Sequence, residues 1–411
     1  MLILLLSALA LWKCTQCSEL PVIPDHSSKA QASNVVTPST CRLSASSNTY
    51  LSEGFGYQLD CAPSIGTLSS FMFFVDFPDQ TAGATDTPQT LYDVFLPAAA
   101  QWYANSSFGR LSLQVSADTA RFYRMSGRAD SYGWQRGLTS ATHQKYIQDA
   151  LDAYTRTSSK SLPAVDVLYI VPTTHASQIS FSATYMSEVR TRPNTTASSG
   201  VHVARKATTF GVDAFSTWHF KTLNHETGHT MCLPDLYPLP SGPTGQYVGG
   251  WDLMGYINGP DPDFFAWHKW KLGWIDDAQI DCISGSGTST HLLSPIEAPP
   301  LSGDASVKAA VIRQNSTAAL VAEVRSRAKG DSGACATGVL VYQVSTALET
   351  GKGSIRVVDA NPHSGGCAGD ELDDAPLSLT GTRSINVPAW GVTINITGQV
   401  EDNYTITITV Q

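Results

Sequence analysis

Two histidines four residues apart, with a proline five residues beyond the second, constrain this chain more than any other feature of its 411 residues. The stretch is Asn224-His225-Glu226-Thr227-Gly228-His229-Thr230-Met231-Cys232-Leu233-Pro234-Asp235-Leu236-Tyr237. On a helix, side chains at i and i+4 lie one above the other, so both imidazoles can reach one ion at about 2.0–2.1 Å. Pro234 cannot continue the helical hydrogen-bond ladder, which places the helix at roughly 217–231. Glu226 falls beside the histidine face, close enough to hold a metal-held water and take its proton. Asp235 comes ten residues after His225, where the chain has left the helix and can fold back as a third ligand. Zinc lowers the pKa of bound water towards ~7 and polarises a carbonyl under attack. Each residue type therefore has a use in peptide-bond hydrolysis. The histidine pair alone also arises by chance on surface helices. Asp235 and Trp251-Asp-Leu-Met254, spaced to form a methionine turn under the metal, weigh against that simpler reading.

The surrounding periodicities supply a frame. Phe71–Phe77 and Val165–Val171 are short apolar runs suited to buried strands, Leu111–Val115 alternates as a strand does, and Val201–Ala204 is a weaker candidate. Apolar residues recur at helical spacing over 90–104 and again from Tyr146 to Tyr154. A further helix is expected over 262–272, with Asp261 as its cap, Pro262 at its first position and Gly273 after its end. This order predicts an α/β domain over 65–281. After Cys282 the helical spacing disappears. Runs at 308–312, 320–324, 339–344, 392–396 and 404–410, separated by Gly, Ser and Asp, predict an all-β accessory domain over 282–411, arranged as a sandwich. The fold class expected is α+β.

Several features point to export. Leu2–Trp12 is an apolar run of eleven, too short to cross a hydrocarbon core but suited to a signal peptide over 1–18. Residues 19–64, rich in Ser, Thr, Ala and Pro, read as a propeptide or a loosely structured N-terminal arm. Of eight cysteines, Cys14 and Cys17 leave with the signal peptide; the other six suggest three disulfides among fifteen possible pairings. Proximity along the chain favours Cys41–Cys61 and Cys335–Cys367, which leaves Cys232–Cys282. Five glycosylation sequons begin at Asn105, Asn194, Asn315, Asn395 and Asn403. A net charge of −9 argues against nucleic acid or an anionic membrane as partner. No stable membrane association is expected, and a monomer acting on protein or peptide substrates is.

The segment His225–Tyr237, followed by Gly250-Trp-Asp-Leu-Met254 and Ala266-Trp-His-Lys-Trp-Lys-Leu-Gly-Trp-Ile275, resembles the immune inhibitor A family of secreted, metzincin-like metallopeptidases. The resemblance is strong over 215–275 and weaker over 65–214, where Phe73–Pro78 and Ser107–Ser112 are similar to family segments. Val339–Val344 and Gly353–Asp359 resemble the region that follows the family's catalytic domain. It implies an endopeptidase made as a preproprotein, with one catalytic zinc bound by His225, His229 and Asp235. Glu226 would be the general base and Met254 the residue of the methionine turn. Cys232 departs from the pattern, because the signature has Gly where the chain turns left-handed to bring the third ligand back. A side chain there costs roughly 1–2 kcal/mol. A disulfide from Cys232 could hold that turn instead.

Tyr256, two residues past Met254, stands where some metzincins place a tyrosine that hydrogen-bonds the developing oxyanion; a half-buried structural Tyr fits as well. Tyr237 has a weaker claim of the same kind. The loops Asp261-Pro-Asp263 and Asp370–Asp374 offer oxygen ligands for calcium, and read equally as solvated acidic loops. The expected function is thus a secreted zinc endopeptidase using a zinc-bound water activated by Glu226. The alternative is a catalytically inactive binding protein of the same fold, which would have no need of Glu226.

Overall fold

The computed structural model describes residues 34–56, 60–193, 200–260, 262–300, 303, 305–328, 332–367 and 369–411. The expected signal peptide at 1–18, the first part of the following arm, Asn194 and the expected cap Asp261 lie outside the described residues. A short strand, β1 (Val35–Val36), precedes β2 (Gly66–Asp76), which sends Leu68, Met72 and Phe74 to one face and Phe71, Phe73 and Val75 to the other. Both sets are buried, so the strand reads as an almost unbroken apolar run, as a strand covered on both faces must.

Helices α1 (Pro88–Phe95) and α2 (Ala98–Ser106) follow, then β3 (Leu111–Arg124), α3 (Ser140–Thr157) and β4 (Val165–Pro172). The single helix expected over 90–104 is therefore two. Pro97 interrupts the ladder and Leu96 before it is extended, with ψ 144°. Strands β5 (Ala183–Tyr185), β6 (Val189–Arg190) and β7 (His202–Thr209) complete a sheet of order β3-β2-β4-β7-β5, with β6 also on β7. Its first four strands are parallel; β5 closes the edge antiparallel to β7. Helix α3 covers one face. Helix α4 (Phe220–Thr230), which carries the histidine pair, packs in the core on the other.

Helix α5 (Ala266–Lys271) is shorter than the 262–272 expected. Its opening amide donors are taken by distant side chains. Asp252 Oδ2 accepts from Phe265 N at 2.7 Å, Glu323 Oε2 from Ala266 N at 2.7 Å, and Tyr342 Oη from Trp267 N at 3.2 Å. A tertiary cap replaces the local one, so Asp263–Phe265 stay outside the helix.

The remaining strands are β8 (Ile280–Ile283), β9 (Gly287–Leu293), β10 (Ala309–Arg313), β11 (Ala318–Arg325), β12 (Gly338–Ser345), β13 (Ile355–Val358), β14 (Ser384–Val387), β15 (Val392–Val400) and β16 (Asn403–Val410). They form two sheets, ordered β1-β8-β10-β11-β12-β13 and β14-β15-β16-β9. Leu320, Ala322 and Val324 of β11 face a core shared with Ile394, Ile406 and Ile408 of the four-stranded sheet. Ala319 and Val321 face the core that holds Trp267, Trp270 and Leu223. The six-stranded sheet is thus buried on both sides. It also runs across position 281/282, and residues 32–411 form one compact unit. The chain is α+β, richer in strand than in helix. No helix among the described residues is long and apolar enough to cross a membrane.

The disulfides are Cys41–Cys282, Cys61–Cys232 and Cys335–Cys367, with Cα–Cα distances of 5.8, 5.7 and 5.9 Å. Only the last matches the pairing favoured by proximity. Val36 lies opposite Cys282 in the β1–β8 ladder, which brings Cys41 to Cys282 although 241 residues separate them. The described residues of the 19–64 segment are accordingly not loosely structured. Cys41, Leu43, Leu51, Ser52 and Glu53 are buried.

Glu53 is the most consequential of these. Its carboxylate lies 3.1 Å from His268 Nε2, whose Nδ1 lies 2.9 Å from Asp252 Oδ2, and none of the three has exposed side chain. Burial opposes a charge on His268, but Asp252 and Glu53 outweigh it and push its pKa up to about 9. A group whose pKa rises on folding stabilises fully below its unfolded value, near 6.5, and loses that contribution as pH climbs through about 9. Stability of the wild type relative to His268→Gln should therefore fall between pH 6.5 and 9 in urea unfolding. A difference that stays flat across that window would exclude a charged His268. Glu53→Ala should cost about 3–5 kcal/mol, the usual effect of stranding a buried charge.

Candidate metal centre

Helix α4 is buried along the stretch Thr222–Thr230, an environment that hydrogen bonds make tolerable for its polar residues. Tyr103 Oη donates to Asn224 O at 2.6 Å, and Tyr169 Oη meets Thr227 Oγ1 at 2.7 Å. Gly228 is required by a neighbour: a Cβ there would lie 2.6 Å from Met254 Sδ. Met254, wholly buried, thus packs directly against the helix between the two histidines. Its own turn is held by Asp252, whose Oδ1 accepts from Met254 N at 2.8 Å.

The helix ends in a reversal. Cys232 adopts φ 67°, the left-handed region that a Gly would occupy at no cost. Its N–H donates to His229 O at 2.8 Å, and Leu233 N donates to Gly228 O at 3.1 Å. The disulfide to Cys61 pins this turn, as does Lys271 Nζ, which donates to Cys232 O at 3.0 Å. The left-handed turn therefore forms without glycine, and Asp235 does come back to the histidines.

Two backbone carbonyls then aim the imidazoles. His225 Nδ1 is 2.8 Å from Leu253 O, and His229 Nδ1 is 2.8 Å from Leu233 O. A carbonyl only accepts, so each Nδ1 carries the proton and each Nε2 presents its lone pair. Asp235 Oδ1 stands 3.3 Å from His225 Nε2 and 3.2 Å from His229 Nε2. Thr350, from the β-rich part of the chain, takes Asp235 N at 2.8 Å and donates to Oδ2 at 3.2 Å. Oδ1 is left buried without a hydrogen-bond donor.

These three atoms form the one group of at least three His, Cys, Asp or Glu donors, among the described residues, that could hold a metal ion. The fit is geometric as well as chemical. Ligands about 2.0–2.1 Å from a tetrahedral centre stand roughly 3.3–3.4 Å apart, close to the separations here. Three lone pairs converging in a buried site also demand a cation. Without a metal, burial resists a proton on His229, yet Asp235 overrides it and pushes the pKa up to about 9. Asp235 is held far below its ordinary range by the same imidazoles, against its own burial.

Glu226 lies beside this cluster and not in it. Thr184 Oγ1, on the edge strand β5, donates to Glu226 Oε2 at 2.8 Å. Burial lifts the Glu226 pKa above the usual carboxyl range, against the pull of His229 and His225. Glu226, His229 and Asp235 open on a cavity of about 280 Å³, while Glu226 and His225 line a second, more apolar one of about 120 Å³ with Trp218, Tyr256 and Ile257. Tyr256 is half-buried, and its Oη is 3.4 Å from Asn258 Nδ2. Tyr237 stacks on His225 with ring centroids 6.1 Å apart, and burial together with the charges of Asp235 and Glu226 raises its pKa.

The two candidate calcium loops differ from this centre. Asp263 is paired with Lys269 at 2.7 Å. Asp370, Glu371 and Asp373 accept from backbone N–H groups of Leu372, Gly365 and Gly250. Sequence reasoning missed Thr184 and Thr350, and single threonines in strand and loop text give no signal of a site. Compared with models of known protein families the chain matches none, and no curated protein matches it.

Opening the Cys61–Cys232 link should cost about 2–5 kcal/mol in a Cys61→Ser, Cys232→Ser variant. Exchanging the second substitution for Cys232→Gly should recover roughly 1 kcal/mol in denaturant unfolding, because Gly adopts the turn unstrained. Equal stability of the two variants would refute a cost at position 232.

Proposed function

We propose that this chain is a secreted zinc-dependent endopeptidase of the immune inhibitor A type, with residues 282–411 as its β-rich accessory part. One observation carries the reading: His225 Nε2, His229 Nε2 and Asp235 Oδ1 converge beside the Glu226 carboxyl, where Glu226, His229 and Asp235 line one cavity and Glu226 and His225 another. That arrangement supplies a metal cradle, an adjacent base and room for substrate. Two histidines and one carboxylate suit zinc among the common ions. The three disulfides suit an oxidising compartment outside the cell.

A zinc ion in the cradle would polarise the scissile carbonyl and make hydroxide available near neutral pH. The protein's own groups do the rest. Thr184 holds Glu226 Oε2, so Oε1 is the atom that takes the proton of the attacking water. A carboxyl with a raised pKa can keep that proton and then hand it to the leaving amine. The carbonyls of Leu253 and Leu233 keep both imidazoles in the ligand tautomer. Met254 and Gly228 set the floor on which the ligands rest. Tyr256 and Tyr237, which line one cavity with His225, would be the donors to the oxyanion as it forms.

Hydrolysis of fluorescently labelled casein by the purified protein, beside Glu226→Ala, tests the proposal. The variant should lose about 10²–10⁴-fold or more in rate while retaining one equivalent of zinc by elemental analysis. His225→Ala should lose the metal itself. Turnover that survives Glu226→Ala would remove Glu226 as the base. A wild type that binds zinc yet cleaves no protein would leave the inactive binding protein as the reading.

A further inference from the structure

The cleft around Glu226 contains one exposed cation, Arg136, that no hydrogen bond or ion pair engages among the described residues. Arg136 lines both cavities, the larger beside His229 and Asp235 and the smaller beside His225 and Tyr256, and no other Lys or Arg does so among the described residues. Its loop is anchored two residues earlier by buried Trp134, whose Nε1 donates to Phe181 O at 2.8 Å. The Trp134 ring packs on Tyr146 and His143, with centroids 4.9 and 5.3 Å away. The Arg136 guanidinium then lies over Phe181, 5.8 Å from the ring centroid. That contact aligns the group and leaves its N–H donors uncommitted.

The carboxylates nearby take their hydrogen bonds from other groups, although the Arg136 charge reaches Asp213 and works against the effect of its burial. Asp213 accepts from Ser182 N and Ser182 Oγ, both at 2.9 Å. Glu226 is held by Thr184, and Asp235 by Thr350 and the imidazoles. Among the described residues no hydrogen bond or ion pair engages Arg136 itself, in a chain of net charge −9. An exposed guanidinium over an aromatic ring, lining two cavities, has the planar fork of donors that a carboxylate fits.

We propose that Arg136 reads a carboxylate of the substrate next to the scissile bond, either an acidic side chain or the C-terminal carboxylate of a peptide. This rests on the zinc-peptidase reading and deepens it: an acidic side chain is the carboxylate an endopeptidase meets, and a terminal carboxylate is the one a carboxypeptidase meets. The contact is made in the bound substrate as well as in the transition state, so it acts on KM and leaves kcat nearly unchanged.

The test uses the zinc-loaded full-length protein and one family of quenched fluorescent peptides. These carry Glu, Gln or Lys in turn at the three positions on each side of the cleaved bond, with free or amidated C-termini. The wild type should favour Glu over Gln at one position, or a free over an amidated terminus, by roughly tenfold or more in kcat/KM. The arm that responds identifies the source of the carboxylate. Arg136→Ala should lose that preference through KM, and Arg136→Glu should transfer it to Lys. Because Arg136 is exposed, both variants should melt with the wild type. Equal use of Glu, Gln and Lys together with equal use of free and amidated termini by an active wild type, or an unchanged preference in Arg136→Ala, would overturn this inference alone. A wild type that cleaves none of the peptides, neutral ones included, and no casein would overturn the endopeptidase reading with it.

Discussion

The reversal at Met231–Asp235 is the constraint on which the candidate site depends. A helix can place two imidazoles on one face unaided, but a third ligand must come from chain that has turned back. The turn requires a left-handed residue, and here that residue is Cys232 at φ 67°. Its cost is offset by tertiary ties: the Cys61 disulfide, the Lys271 ammonium on its carbonyl, and the bond from Leu233 N to Gly228 O. The same turn delivers the Leu233 carbonyl to His229 Nδ1. One local conformation therefore sets the position of Asp235 and the tautomer of His229 together.

A second tier of buried charge holds the floor of the site. Asp252 gathers Met254 N, Phe265 N and His268 Nδ1 around its two oxygens. His268 passes the contact on to Glu53, and Lys271, on the same helix, donates to Ser52 O. The N-terminal segment thereby becomes part of the support under Met254, with two of the three disulfides fixing it in place. Thr350 reaches Asp235 from the β-rich part of the chain. Three stretches far apart in sequence converge because the six-stranded sheet is packed on both faces. Residues 32–411 accordingly cohere as one unit.

Much of the fold was legible because its signals are local. The unbroken apolar runs of β2 and β4 and the helical spacing of α3 are written into the text, and each names its element without outside help. Local reading failed where distant groups took over a local role. The start of α5 is capped by Asp252, Glu323 and Tyr342. The β1–β8 ladder brings Cys41 to Cys282 and leaves Cys61 for Cys232. The break at Pro97 was local and readable, but the apolar spacing on either side masks it.

The sequence by itself determined the donor types and their spacing: His225 and His229 on one helix face, Glu226 beside them, and Asp235 after a forced helix end. Those follow from helix geometry and from the proline, which act within a dozen residues. Only the tertiary structure decided that Asp235 reaches the histidines despite Cys232. It also decided which oxygen Thr350 occupies and which it leaves open, and that Thr184 orients Glu226. The reason is physical. A lone pair's direction is set by what hydrogen-bonds the other end of its side chain, and those partners lie on strands and loops the sequence order keeps apart.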